Sequence, residues 1–288
     1  MIYKTINLFG KPEINNCIVP AMPYMGNKRK LSTKLLNEIY NTVGDFNTFY
    51  DLFGGGGSMS ITALLSGHKT VYNELNKGVY NLFKHVLTGG EIPKQWITRE
   101  DFHKYKTGDD WFSGLVKCCW SFGNGQDSYL FGSENEKLKR LAHEIVINNC
   151  EESRVELSKL IGVEIPKNID RLWFSRNYKI RRFELQQLQR LQQLTFSNES
   201  YQNVNIDNDS VLYCDPPYNG TGTYQIKVNH NDFYTWAIQN SNPVFISEYN
   251  MPDEFKLVCK INHQSSLCAT KVNKTIEKLF WNGKFIKK

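Results

Sequence analysis

Asp215-Pro216-Pro217-Tyr218 directly follows the apolar run Val211-Leu212-Tyr213-Cys214, which places a carboxylate, two prolines and an aromatic ring at the end of an expected buried strand. Each proline fixes its own φ and pushes the preceding residue toward an extended conformation, so the Asp215 carboxylate and the Pro216 carbonyl project as rigid hydrogen-bond acceptors. Tyr218 follows as a stacking face. Two fixed acceptors beside a ring match the two N–H donors of an exocyclic amino group on a planar heterocycle, such as adenine N6. Such a nitrogen reacts only if an electrophile is held close by.

A second segment offers a place for one. In Tyr50-Asp51-Leu52-Phe53-Gly54-Gly55-Gly56-Gly57-Ser58 an apolar strand runs into four glycines and then into an apolar helical pattern, Met59 to Leu65. A flexible linker would sit between polar segments, which these are not. A triphosphate loop would carry Lys-Ser/Thr after its glycines, and this one does not. A nucleoside-cofactor loop fits: glycines allow close backbone approach, and Glu74, about twenty positions on, ends the next strand where a carboxylate can accept both ribose hydroxyls. That spacing suits NAD or S-adenosylmethionine, and the acceptor tetrapeptide selects the methyl donor.

These segments need a scaffold, and the flanking pattern supplies one. Strand sequence at 46–53 and Thr70-Val71-Tyr72-Asn73 alternates with helical sequence at 59–65 and 76–87, which predicts an α/β domain with ligands at the strand carboxyl ends. From about Ile97 to Leu194 the texture turns helical and polar: Trp111 to Ser121, a connector around Gly123-Asn124-Gly125, a charged stretch from Glu134 to Leu160, and a leucine stripe from Phe183 to Leu194 that predicts an amphipathic helix. Strand patterns return at 194–196, 211–214, 243–247, 255–261 and 278–281. One sheet is therefore expected to be interrupted by an insertion, with 1–95 and 194–288 forming the catalytic and cofactor-binding domain and 96–193 the helical insertion.

Composition sets bounds. The chain has 288 residues and is 40% hydrophobic, enough for a real core. Lys and Arg total 35 against 29 Asp and Glu, a net charge of +6, which favours a polyanionic partner. Seven scattered cysteines show no C-x-x-C pair and no zinc-ligand spacing, so no metal is expected, and the odd count fits reduced thiols in a cytoplasm. No secretory start or membrane-length apolar run is found.

Pro23-Tyr24-Met25-Gly26-Asn27-Lys28, the Asp51 to Ser58 loop, Glu74-Leu75-Asn76, Phe196-Ser197-Asn198-Glu199-Ser200-Tyr201 and Tyr213-Cys214-Asp215-Pro216-Pro217-Tyr218 occur in an order that resembles Dam-like DNA adenine-N6 methyltransferases. The order is that of the α group: cofactor motifs, target-recognition insertion, then the catalytic tetrapeptide. The resemblance implies a class I, Rossmann-like methyltransferase fold with a mixed, mainly parallel sheet. It implies S-adenosylmethionine as cofactor and double-stranded DNA, with an extrahelical adenine, as substrate. Tyr24 and Lys28 match the motif at the methionine end of the cofactor; Asp51, Phe53, Gly55 and Gly57 match the loop around it. Glu74 matches the ribose-binding acid, Leu75 and Tyr201 the residues that sandwich the cofactor adenine, and Asp215, Pro216, Pro217 and Tyr218 the catalytic turn, with Asp215 also beside the cofactor. A bacterial or phage-encoded cytoplasmic enzyme would follow.

Target reading is expected from the insertion. There Trp120, Phe122, Asn124 and Gln126 combine aromatics and amides able to wedge or read bases, and Arg181 and Arg182, with Arg171 and Arg176, offer further base or phosphate contacts. The segment departs from the GATC methyltransferases, which carry an arginine and further asparagines, so the target sequence stays open. Gly220 to Tyr224 reads as a loop over the base, Ser247-Glu248-Tyr249-Asn250 as part of the pocket wall, and Lys271 to Lys278 as phosphate-facing charge. N4-cytosine transfer, RNA adenine transfer and a catalytically silent cofactor-binding protein are the alternatives. Serine where Asp215 stands is more usual in the first, and an intact Asp215, Pro216, Tyr218 and Glu74 argue against the last. Oligomeric state is not encoded in any of these features.

Overall fold

The computed structural model describes residues 4–6, 12–14, 21–167, 193–218, 228–265 and 273–286. Two short strands, β1 (Lys4–Ile6) and β2 (Pro12–Ile14), pair antiparallel ahead of the main body. The elements that follow are α1 (Ser32–Val43), β3 (Thr48–Asp51), α2 (Ser58–Leu65), β4 (Lys69–Asn73) and α3 (Lys77–Leu87). Next come the helices α4 (Arg99–Tyr105), α5 (Trp111–Cys119), α6 (Ser133–Asn148) and α7 (Glu151–Ile161). The chain returns to the sheet with β5 (Leu194–Ser197), β6 (Ser210–Cys214), α8 (His230–Gln239), β7 (Val244–Ser247), β8 (Lys256–Ser265) and β9 (Asn273–Trp281).

Seven strands form one sheet in the order β5-β4-β3-β6-β7-β9-β8. β5, β4, β3, β6 and β7 run parallel, while β9 is antiparallel to both β7 and β8. The mixed α/β sheet expected from the alternation of strands and helices is therefore present, with the helical sequence entering between β4 and β5. All four residues of β3, all five of β6 and all four of β7 are buried, as strands covered on both faces must be.

Side-chain parity separates the two faces. Phe49, Val211, Tyr213, Phe245 and Leu279 pack against Leu35, Leu36, Ile39 and Tyr40 of α1 and Met59 and Ala63 of α2. Tyr50, Leu52, Leu212, Cys214, Val244 and Ile246 pack on the other side against Phe233 and Ala237 of α8. Neither α1 nor α8 was singled out from sequence, because both are short amphipathic segments broken by polar residues.

β3 is followed by β4 on one side and lies beside β6 on the other, so the strand order reverses between β3 and β6. A crevice opens at the carboxyl ends of strands at such a reversal. Leu52 N–H donates to the Tyr213 carbonyl at 3.0 Å, continuing the β3–β6 pairing to the last residues before both motifs.

The inserted segment is not wholly separate from the core. Leu115 and Cys118 of α5 join Ile61, Leu64, Tyr72, Leu82 and Phe83 in one apolar cluster. α5 crosses α3 at a pair of glycines so closely that a Cβ on Gly114 would lie 2.0 Å from the Gly78 carbonyl oxygen. α6 and α7 enclose a smaller cluster of Leu141, Ala142, Ile145, Leu157 and Ile165. The 183–192 part of the leucine stripe lies outside the described residues, as do Arg171, Arg176, Arg181, Arg182, the 220–224 loop and the lysine at 271.

Because backbone meets backbone at Gly114, Gly114→Val should cost about 1–3 kcal/mol of stability by overpacking. A lower urea midpoint at unchanged slope would show this, and an unchanged midpoint would contradict the close crossing.

Candidate active site

The glycine turn is clamped by its own chain. Gly55 and Gly57 have φ of 47° and 76°, in the left-handed region that L side chains rarely enter. A Cβ on Gly57 would lie 2.2 Å from the Phe83 ring, and one on Gly55 would lie 2.8 Å from the Tyr24 ring. Tyr72 donates its hydroxyl to the Gly55 carbonyl at 2.9 Å. Packing alone already calls for glycines here, because the turn is held between Tyr24, Tyr72 and Phe83.

Two buried carboxylates brace this turn. Asp51 accepts from the Ser60 N–H at 3.0 Å and its hydroxyl at 2.7 Å, tying the end of β3 to the first turn of α2. Burial, opposed by the Ser60 hydrogen bonds and reinforced by Asp215 and Glu74, pushes its carboxyl up to about 7. Glu74 accepts from the Gly55 N–H at 2.8 Å and from the Asn76 N–H at 2.7 Å, and burial raises it as well. A carboxylate has about four lone-pair sites. Two such backbone bonds therefore leave Glu74 capacity for a diol.

Leu75 beside Glu74 is 48% exposed, an apolar face open to a ligand. Asn198 donates to the carbonyls of Glu74 at 2.6 Å and Leu75 at 3.2 Å. Asn73 bridges the Leu52 carbonyl and the backbone of Glu199, locking the ends of β3, β4 and β5 together. Tyr201 stacks on Phe53 with centroids 5.5 Å apart and meets Phe233 and Trp236 edge-on. The Ser58 hydroxyl at the start of α2 is buried with no hydrogen-bond partner. An orphan donor at the positive end of a helix suits a carboxylate, so this cradle fits the methionine end of S-adenosylmethionine as well as its ribose.

On the neighbouring strand, Asp215 lies at the crevice with its carboxylate 2.9 Å from the Lys28 ammonium. Lys28 also donates to the Tyr218 hydroxyl at 2.9 Å and the Gly26 carbonyl at 3.2 Å, and lies 3.4 Å from Glu277. The Tyr218 hydroxyl donates to Glu277 at 2.6 Å, and its ring meets Tyr249 edge-on at 4.7 Å. Burial pushes Asp215 up to about 6; Lys28 opposes the shift and Glu277 adds to it. Burial, then Asp215 and Glu277, also raise the Tyr218 phenol, which stays protonated.

Lys28, matched from sequence to the cofactor's methionine end, is therefore paired with the Asp-Pro-Pro-Tyr turn. Glu277 was missed altogether. Its signal was parity: it lies two positions before the buried Leu279 on β9, on the same face, inside a stretch read as basic.

The insertion residues divide. Trp120 packs edge-on against Trp96 at 5.0 Å and so belongs to an aromatic cluster of the insertion. Gln126 is buried and accepts from Asn76, the N-cap of α3, at 3.2 Å, which ties the insertion to the segment beside Glu74. Asn124 is half-buried in a short 3-10 turn, Phe122–Asn124, while Phe122 at its tip is 70% exposed. Among the described residues no group of three or more His, Cys, Asp or Glu side chains could hold a metal, and no helix is long and apolar enough to cross a membrane.

A mixed, mainly parallel sheet with the glycine turn and the Asp-Pro-Pro-Tyr turn on adjacent central strands is the fold of a methyltransferase of the class I, Rossmann-like kind. The model of the D12 class N6 adenine-specific DNA methyltransferases matches residues 24–247, and the chain belongs to that family; its methyl donor is S-adenosylmethionine. A search of curated proteins gave no match. Among solved structures, the chain is similar to a candidate RNA methyltransferase from Pyrococcus horikoshii at 12% identity and TM-score 0.38, covering 89% of this chain and 83% of that one. It is also similar to a candidate methylase from Haemophilus influenzae at 10% identity and TM-score 0.36, covering 90% of this chain and 91% of that one.

The buried carboxyl of Asp51 makes a signed prediction. Its native value is raised, so between about pH 4 and about 7 the unfolded chain gives up this proton while the folded chain keeps it. That contribution to stability is complete below the unfolded value and is lost as pH rises through the folded one. Asp51→Asn should therefore flatten the fall in denaturant midpoint across this window, and a slope identical to that of the wild type would contradict the assignment.

Proposed function

We propose that this methyltransferase transfers the methyl group of S-adenosylmethionine to N6 of an adenine extruded from double-stranded DNA. The observation that carries the proposal is the juxtaposition of the Asp215-Pro216-Pro217-Tyr218 turn and the glycine turn at the ends of β6 and β3, joined by the Leu52 to Tyr213 hydrogen bond. The bound cofactor supplies an electrophilic methyl on a sulfonium.

Adenine N6 is a weak nucleophile because its lone pair is delocalised into the ring. Asp215 and the Pro216 carbonyl would each accept one amino hydrogen, drawing the nitrogen toward a tetrahedral geometry with its lone pair aimed at the methyl. Positioning of this kind can supply roughly 7–11 kcal/mol of the barrier. The same fixed oxygens stabilise the positive charge that develops on nitrogen. Asp215 or water then takes the proton that the fourth bond makes acidic.

Extrusion of the base costs a few kcal/mol. Stacking on Tyr218, worth about 1–3 kcal/mol, offsets part of it. Glu74 would hold the ribose hydroxyls, Leu75 and Tyr201 the cofactor adenine, and Tyr24 and Ser58 the methionine end. Recognition of the site would fall to the 96–193 insertion. Its exposed Phe122, on a turn anchored by the Ser121 hydroxyl to the Gln126 N–H at 3.0 Å, is the side chain best presented to a duplex. Asn124 and the arginines 181 and 182 are the further contacts proposed there.

Asp215→Ala should abolish labelled methyl transfer to unmethylated DNA while leaving DNA binding within a few-fold of wild type. Glu74→Ala should instead raise the cofactor Kd about 10- to 100-fold, as expected for losing hydrogen bonds to a charged acceptor. Equal and mild effects from both would contradict these roles. Cofactor binding without any incorporated label would favour a silent binder, and a preference for ribose over deoxyribose substrate would favour RNA.

A further inference from the structure

We propose that Glu277 is a positioning residue that draws Lys28 away from Asp215 when the substrate amine arrives, so that the acceptor pair is masked at rest and released on demand. The inference rests on the methyl-transfer reading of the same site and adds to it a residue outside the sequence motifs.

The Lys28 ammonium has three N–H donors. Among the described residues at least four oxygens surround it: Asp215 at 2.9 Å, Tyr218 at 2.9 Å, the Gly26 carbonyl at 3.2 Å and Glu277 at 3.4 Å. Acceptors are thus in excess of donors. Lys28 can therefore give up Asp215 and keep three partners, with its buried charge still matched by the Glu277 carboxylate. Without Glu277 the same departure would take the Lys28 ammonium away from both of these carboxylates, which is unfavourable for a buried charge.

Charge points the same way. Methyl transfer puts positive charge on the substrate nitrogen beside Asp215, and an unmatched Lys28 a few ångströms away would oppose it. Glu277 neutralises Lys28 and leaves the Asp215 charge available to the reacting nitrogen. It also accepts from the Tyr218 hydroxyl at 2.6 Å, which holds the ring in one orientation. The geometry comes from the sheet. Leu279 of β9 pairs with Ser247, the last residue of β7, so Glu277 lies just past the end of β7, at the rim where Asp215 leaves β6.

Asp215 is faced by Lys28 from the segment before α1, Glu277 from β9, Glu248 after β7, Asp51 of β3, and Tyr213 and Tyr218 of its own segment. Removing the negative charge of Glu277 should strengthen the hold of Lys28 on Asp215. In E277Q the acidic limb of the kcat profile should move to lower pH and kcat at its plateau should fall about tenfold, as for coupled neighbours, with the cofactor KM unchanged. K28M should move the limb to higher pH. The K28M/E277Q double variant should recover most of the turnover that E277Q loses, while the urea midpoints of both variants stay at the wild-type value, which separates positioning from a loss of stability.

Losses that simply add in the double variant would overturn the proposal, as would an E277Q profile superimposable on that of the wild type. Carbon-13 NMR titration of the Asp215 carboxyl, assigned by its loss in D215N, needs no substrate: E277Q must lower its midpoint, and an unchanged midpoint overturns the proposal. Wild-type protein that fails to methylate DNA would sink the functional reading instead, with the carboxyl titration still reporting whether Glu277 acts on Asp215.

Discussion

The parallel pairing of β3 with β6 is the constraint on which the site depends. Asp51 stands opposite Tyr213, and the Leu52 N–H reaches the Tyr213 carbonyl, so the two strands leave the sheet side by side. Everything chemical follows within a few residues of that point: glycines on one strand, the Asp-Pro-Pro-Tyr turn on the other. Since side chains alternate with a period of two, a slip of one residue would turn Asp51 and Tyr213 to the wrong face and separate the two turns. The fully buried side chains of both strands oppose such a slip.

Electrostatics follow from the same burial. Asp51, Glu74 and Asp215 are all raised above the usual carboxylate range, with removal from water as the leading cause in each. Their compensations differ. Asp51 is held by Ser60 and serves the turn between β3 and α2; Glu74 is held by two backbone N–H groups with capacity left over. Among the described residues Asp215 is the one of the three paired with a cation, and that cation has further oxygens around it. One crevice thus contains a carboxylate that braces, one with hydrogen-bonding capacity left over and one held by an ammonium group.

Much of this was legible in the residues because the motifs are contiguous. A strand ending in Gly-Gly-Gly-Gly, a strand ending in Glu74 and a strand ending in Asp-Pro-Pro-Tyr announce their positions through local chemistry, and the mixed sheet follows from their alternation. What stayed hidden depends on pairing between distant segments. Glu277 acquires its place only because β9 lies antiparallel to β7. Asn73 and Asn198 look like ordinary turn residues until the ends of β3, β4 and β5 are brought together. Lys28 and Gln126 carry types that suit several partners, and tertiary packing selected the Asp215 turn for one and Asn76 for the other. The docking of α5 through Gly78 and Gly114 was equally unreadable, since a lone glycine in a helical pattern does not disclose what approaches it.

Base-resolved mapping of modification on double-stranded DNA incubated with the protein and S-adenosylmethionine tests the central claim most directly, because it reports base, atom and sequence context together. The account predicts N6-methyladenine at a defined short motif in the wild-type reaction and its absence with the Asp215→Ala variant. Methyl groups on cytosine N4, or none on DNA while an equivalent RNA is modified, would contradict it.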